Sequence, residues 1–388
     1  MSSRAGLSPV TRWWHGALNL SLRRVTASTR LIPQIDGLRF VAIFLVLVDH
    51  ILNQGHPFMH PGGLLSEANR RPIGLRGVYL FFSLSGFVLA LPYARHYLHH
   101  ARPVGVAAYF RRRLTRLEPP FLVAMFGRLI LFLSFSSVST GVILAHFAAG
   151  LFYVHSVIYG AASMLNLPSW SLEIEVQFYV IAPLLALLFR IGPAWLRRAV
   201  IIALVVTTAY VSDIPTLLYN PRIFLSLAGN LQYFLAGFLV CDLYVLRDSL
   251  RARNWFWDIA AIAVFPLAVW SLTDWFWVTL PAANIVLCLA ALFGRLLPRL
   301  LALSFISIVG GMCYSIYLTH NSVFSGIHAL LVRVPLLISH PSAFNTAMFA
   351  IAFAAALGVG AIFFVLIERP CMDPTWPSKL KTRLTGTR

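Results

Sequence analysis

Residues 35–50 read IDGLRFVAIFLVLVDH, nine consecutive apolar side chains from Phe40 to Val48 with Asp36 and Arg39 before them and Asp49 and His50 after. Extended to Leu52, the run approaches the about 20 mostly apolar residues that a helix needs to cross a bilayer. An ionisable group costs about 2.5 to 3.5 kcal/mol at the centre of a span on insertion scales, so the polar residues bracketing this one are expected to have a task. Between Arg39 and His50 a helix rises about 16 Å, comparable to the reach of an extended phosphopantetheine arm.

The rest of the chain has the same character. Of 388 residues, 59% are hydrophobic and 11% charged, against about 25% charged in an average soluble domain. Ten further apolar runs follow: Gly77 to Ala94, Pro119 to Phe135, Gly141 to Tyr159, Ser169 to Phe189, Ala199 to Val211, Ile223 to Leu246, Phe256 to Thr273, Trp275 to Phe293, Leu301 to Phe324 and Asn345 to Ile367. The net charge of +18 comes in short clusters between these runs rather than along one stripe, which argues against a nucleic-acid partner and for topology signals and anion contacts. Four scattered cysteines suggest neither a disulfide framework nor a zinc site, and His96, His99 and His100 lack accompanying ligands, so no metal is expected.

The positive-inside rule fixes the number of crossings. With the amino terminus inside and every run crossing except Gly141 to Tyr159, most of the 31 basic residues fall on inner segments, and only Arg70, Arg71, Arg76, Arg222 and Arg333 fall outside. The expected fold is therefore an all-α polytopic membrane protein of about ten transmembrane helices plus one re-entrant or interfacial segment, both termini cytoplasmic. Residues 1–34 form a basic cytoplasmic segment without the apolar core of a signal peptide, in which Trp13-Trp14 can open a surface amphipathic helix. Residues 35–370 form the membrane domain, and 371–388 a basic cytoplasmic tail.

Five ordered segments resemble the acyltransferase-3 family of integral membrane acyltransferases. IDGLRFVAIFLVLVDH is similar to its opening signature, GVYLFFSLSGFVL (Gly77 to Leu89) to its second-helix motif and FRRRLTRLEPPF (Phe110 to Phe121) to its Arg-rich loop. PSWSLEIEVQFYVIAPLL (Pro168 to Leu185) resembles its Trp-Ser-Leu-x-x-Glu segment, CYSIYLTH (Cys313 to His320) its late histidine motif, and Glu368-Arg369-Pro370 its ending. The resemblance implies an enzyme of the O-acetyltransferase type, without a C-terminal esterase-like domain. Such an enzyme moves an acyl group, commonly acetyl from acetyl-CoA, onto a hydroxyl of a carbohydrate, glycolipid or glycosylated small molecule, here in a bacterial inner membrane. Two departures bear on substrate contacts: Tyr79 stands where the family often has Asp, and Glu173 adds a second carboxylate beside Glu175.

The residues carry that chemistry. A hydroxyl acceptor is un-ionised at neutral pH and needs a base, and a histidine with an ordinary pKa near 6.5 suits the role. His50 is the expected catalytic group, as general base or as a transient acyl carrier. Asp49 points about 100° away on the same helix, so Glu175 and His320 are expected to orient the ring. Arg113 and Arg116, at i and i+3, share a helical face on which two guanidinium groups can grip the anionic head of the donor, and Arg39 is expected either to neutralise phosphate or to hold the pantetheine entrance through Asp36 or Glu368. Asp36, Trp170 and Glu173 are the expected acceptor contacts, Trp170 by stacking on a sugar or simply as an interfacial anchor. Ser83 and Ser85, beside Gly86, read as close-packing positions. Arg128 stands in mid-span and is expected to line a donor channel or form an internal ion pair. The competing class is a proton-coupled transporter, for which buried His, Arg and Glu are equally suited, but no internal repeat supports it.

Overall fold

The computed structural model describes residues 22–24, 32–54, 73–246, 253–269, 276–373 and 375–378. The described residues form helices and no strand. Twelve helices of eight or more residues follow in order: α1 (Pro33–Gln54), α2 (Ile73–His99), α3 (Val106–Phe135), α4 (Thr140–Leu151), α5 (Trp170–Leu185), α6 (Ala194–Asp213), α7 (Leu231–Val245), α8 (Trp255–Val269), α9 (Phe276–Phe293), α10 (Ser304–Gly311), α11 (Cys313–Leu331) and α12 (Pro341–Phe363). Five helical segments among the described residues are long and apolar enough to cross a membrane: Ile73–His99, Val106–Phe135, Leu167–Arg190, Ala194–Asp213 and Pro341–Cys371. The Trp13-Trp14 segment and the basic tail from Lys379 lie outside the described residues.

Several sequence boundaries change. The Arg-rich segment Phe110 to Phe121 is not a loop but the amino-terminal half of α3, which starts at Val106 and runs through Pro119 and Pro120. Proline lacks the N–H that would bond four residues back. The carbonyl of Thr115, freed by Pro119, instead accepts a bond from Nε1 of Trp376, 2.9 Å away. The run Gly141 to Tyr159 breaks into α4 and a short helix His155–Tyr159, with Tyr153 at φ 56° between them. The 12 residues of α4 rise only about 18 Å, and a hydrocarbon core is about 30 Å thick. Leu301 to Phe324 is likewise not one helix: α10 ends at Gly311 and α11 begins at Cys313. The short run from Ala199 lengthens to the 20 residues of α6, because Arg197 and Arg198 belong to its first turns rather than to a loop. Both grip the fully buried Asp242 of α7, at 2.5 and 2.7 Å.

The core gathers where α2 packs on α1 and α7. The approach of α2 to α7 is close enough to require glycine: a Cβ on Gly86 would lie 2.1 Å from the carbonyl oxygen of Phe234, and one on Gly237 would lie 2.1 Å from that of Ser83. The small-residue reading of this part of α2 thus holds for Gly86, and for Ser83, whose hydroxyl donates to the carbonyl of Tyr79 and accepts from Nδ2 of Asn284. After Phe363 the last helix widens into one π-helical turn, Phe364–Glu368, a feature that recurs at functional sites. That turn delivers the Glu368 carboxylate into the core, fully buried against α11.

Candidate active site

Two histidines meet between α1 and α11. Nδ1 of His320, one face of α11 above Tyr317, donates to the backbone carbonyls of Tyr317 at 2.8 Å and Ile316 at 3.1 Å. Carbonyl oxygens only accept, so the proton of a neutral His320 resides on Nδ1 and its Nε2 is an acceptor. That Nε2 lies 2.8 Å from Nδ1 of His50, which therefore donates. The network assigns to His50 a free lone pair on Nε2. His320 is fully buried and His50 half-buried.

A cleft enclosing about 850 Å³, partly open to solvent, lies on the Arg39 side of this pair. Four arginines line it, each held from behind. Arg39 and Arg24 both donate to Oδ1 of Asp36, at 2.5 and 3.1 Å. Arg116 stands 3.9 Å from Oε1 of Glu368, whose Oε2 accepts from the backbone N–H and the hydroxyl of Ser315 at 3.1 and 2.6 Å. Arg113 lies over the rings of Tyr109 and Tyr179, 5.8 and 5.6 Å from their centroids. Set against four guanidinium groups are Asp36 and Glu368 behind them and Glu175 in the wall, leaving excess positive charge in a site where an unpaired buried charge is costly. Guanidinium groups placed in this way are suited to carboxylate or phosphate oxygens.

From the arginines the walls turn apolar and then end on hydroxyls. Val78, Phe81 and Phe82 of α2 face Tyr314 and Tyr317 of α11, and Ser171 closes the α5 side. Cys313, Tyr317 and His320 follow one another up one side of α11, a rise of about 10 Å from the arginine level to the histidine pair. Tyr317 lines the cleft and neither histidine does; the ring of Tyr317 is 5.7 Å from that of His320, one helical turn further along α11.

The structure brings together Arg39, Arg113 and Arg116 in the cleft, and His50 with His320 beyond it. It does not bring Glu175 to the histidines. Glu175 lies in the cleft wall, where Oε1 accepts from the hydroxyl of Ser85 at 2.5 Å. Ser85 thus turns from a packing residue into a cleft residue. Of the expected acceptor contacts, Asp36 sits under Arg24 and Arg39 rather than at the cleft surface. Glu173 is buried and accepts from the backbone N–H of Ser156 at 2.9 Å, tying α5 to the short helix His155–Tyr159. Trp170 packs toward Phe224, with ring centroids 6.5 Å apart, and does not line the cleft. Arg128 does not line the cleft and makes no ion pair among the described residues: Nε donates to the carbonyl of Leu165 and Nη1 to the hydroxyl of Ser322 at 2.9 Å. Sequence reasoning missed Arg24, whose position in a basic terminal segment is explained by topology alone, and Tyr317 and Ser171, which sit inside quoted motifs but whose meeting depends on how α5 faces α11.

The described residues thus combine helices long enough to cross a bilayer, an arginine-lined cleft and, near it, a hydrogen-bonded histidine pair. The chain belongs to the acyltransferase-3 family, whose model, described as an acyltransferase domain, matches residues 32–366. It is 23% identical to O-acetyltransferase OatA of Staphylococcus aureus (strain NCTC 8325 / PS 47) over 333 residues, 79% of this chain and 53% of the relative. It is 30% identical to acyltransferase MdmB of Streptomyces mycarofaciens over 194 residues, 47% of each chain. The chain thus spans about half the length of the curated relatives it matches. No solved structure matches it.

Proposed function

We propose that this protein moves an acyl group, acetyl by preference, from acyl-CoA bound at the arginine cleft to a hydroxyl of a carbohydrate, glycolipid or glycosylated small molecule, with His50 as general base. The observation that carries the reading is the chain from backbone carbonyl to His320 to His50, which leaves Nε2 of His50 ready to take a proton beside a cleft built for a polyanion. The acceptor oxygen attacks the thioester carbonyl while its proton passes to Nε2. The carbon–sulfur bond then breaks, and the proton leaves with the CoA thiolate as the free thiol. His320 holds the His50 ring and is the first partner of the imidazolium that forms. The resemblance to the O-acetyltransferase OatA supports transfer to oxygen, and that to the acyltransferase MdmB supports acyl transfer.

In the same reading, the arginine-rich end faces the cytoplasm of a bacterial inner membrane, the chain crosses ten times with both termini inside, and α4 with the following turn is re-entrant. Purified protein mixed with acetyl-CoA and a panel of glycans and glycosides should release free CoA, and His50→Ala should not. Equal release by the two proteins removes His50 from the reaction.

A further inference from the structure

A base for the acceptor is half of acyl transfer; the other half is a donor for the oxyanion that develops on the thioester carbonyl, and preorganised donors of this kind are often the largest single contribution to the rate. We propose that the hydroxyl of Tyr317, supported by Ser171, is that donor. The inference rests on the reading of the cleft as the acyl-CoA site.

Both hydroxyls belong to residues that line the cleft. The Tyr317 hydroxyl is 2.9 Å from the carbonyl oxygen of Pro168, to which it donates, and 2.7 Å from Oγ of Ser171. Oγ of Ser171 is itself 3.3 Å from the same carbonyl. Two protons therefore serve three oxygens. When the Tyr317 proton turns toward an oxyanion in the cleft, the Ser171 proton can turn to Pro168, and no buried carbonyl is left without a donor. The swing exchanges the Ser171-to-Tyr317 bond for the bond to the oxyanion, while Pro168 keeps a hydroxyl donor in Ser171.

Position supports the assignment. Tyr317 is the cleft residue one turn before His320 on α11, and its ring lies between the cleft and the histidine ring, 6.3 Å from Phe81 and 5.7 Å from His320. A thioester carried past the arginines comes to rest against this wall, with the tyrosine hydroxyl on one side and the acceptor arriving from the side of His50. In the tetrahedral intermediate the negative oxygen accepts from Tyr317 and the acceptor proton is on His50; when the carbon–sulfur bond breaks, the carbonyl re-forms, Tyr317 turns back to Pro168, and His50 passes its proton to the CoA thiolate.

The test is Tyr317→Phe, which keeps the ring and removes the hydroxyl, run beside Ser171→Ala and His50→Ala with acetyl-CoA and the glycan acceptor that supports CoA release by the unaltered protein. Loss of one oxyanion donor costs about a hundredfold to a thousandfold in rate, so kcat of Tyr317→Phe should fall by about a hundredfold while the Kd for acetyl-CoA stays put. Ser171→Ala should lower kcat less. A Tyr317→Phe enzyme with unchanged kcat, or one whose loss lies entirely in acetyl-CoA affinity, overturns the proposal while an inactive His50→Ala leaves the parent reading standing. If His50→Ala is fully active, or no glycan supports release, the parent reading fails and this one with it. Should Tyr317→Phe not fold, Ser171→Ala decides: unchanged kcat there rejects the hydroxyl pair.

Discussion

Nδ1 of His50 and Nε2 of His320 lie 2.8 Å apart across α1 and α11, so the protonation of one ring is set by the other. Replacing His320 by Ala leaves His50 in place but releases its tautomer and orientation. General bases contribute about 10² to 10⁴ in rate, and a mispositioned one forfeits part of that. His320→Ala is expected to lower kcat by about tenfold to a hundredfold with acetyl-CoA affinity unchanged. His320→Gln, whose amide oxygen can accept from Nδ1 of His50, should recover part of the loss. The measurement is CoA release under saturating donor, and a drop in donor affinity instead would make His320 a packing residue.

If His50 acts as a base, acetyl-CoA alone leaves nothing on the protein. Incubation with donor labelled in the acetyl group, without any acceptor, followed by denaturation and intact-mass analysis, should show the unmodified chain. A retained acetyl group that disappears in His50→Ala would make His50 an acyl carrier instead.

Arg24 and Arg39 share Oδ1 of Asp36, and both line the cleft. Hydrogen bonds to charged groups are worth about 1.5–3 kcal/mol, so loss of one phosphate contact weakens binding by about tenfold to a hundredfold. Calorimetry with CoA should show such a loss for Arg24→Ala and a larger one for Arg113→Ala with Arg116→Ala. Asp36→Asn should also weaken binding, although it removes a negative charge, because it releases both guanidinium groups from their positions. An unchanged Kd for Arg24→Ala confines the donor site to α1 and α3.

Glu175 supplies an opposite sign. Its carboxylate sits in the cleft wall bonded to Ser85, not at the histidines, and it opposes the incoming phosphates. Removing a negative charge from a polyanion site strengthens the site, so Glu175→Gln should bind CoA more tightly and keep most of its kcat. Collapse of kcat with unchanged CoA affinity would return Glu175 to the role of orienting His50.

What the sequence made legible is what lies along a single helix. Arg39 and His50 on α1, and Arg113 with Arg116 on α3, are related by spacing alone, and the cleft holds Arg39, Arg113 and Arg116 while His50 lies outside its lining. Which helix faces which is not written in hydropathy, because in lipid an apolar helix is apolar all round. Hence Glu175 was expected at His50 and is found with Ser85, and the meeting of Tyr317 with Ser171 could not be anticipated. The break at Met312 had a local signal in Gly310 and Gly311, which end α10, yet the apolar run continues through them and reads as one span. The family resemblance makes the Arg-rich segment a loop, whereas the spacing of Arg113 and Arg116 is helical, and the structure agrees with the spacing: Arg111 and Arg112 are exposed and Arg113 and Arg116 line the cleft.

The packing of α2 against α7 makes the last prediction. A Cβ on Gly237 would stand 2.1 Å from the carbonyl oxygen of Ser83 and 2.5 Å from the backbone nitrogen of Phe87, and neither backbone atom can yield without moving its helix. Overpacking of this kind costs about 1–3 kcal/mol, so Gly237→Ala should lower the unfolding temperature in detergent, followed by tryptophan fluorescence. Gly127, in α3, has nothing within 4 Å of its Cβ position, and there alanine relieves the about 1 kcal/mol helix penalty of glycine, so Gly127→Ala should be neutral or stabilising. Ser85 lies on α2 between Ser83 and Phe87, so a displaced α2 also strains its 2.5 Å bond to Glu175. Gly237→Ala should therefore change CoA affinity as well as stability, whereas Gly127→Ala should change neither for the worse; equal melting temperatures for the two variants would mean that α2 and α7 do not approach as closely as their glycines allow.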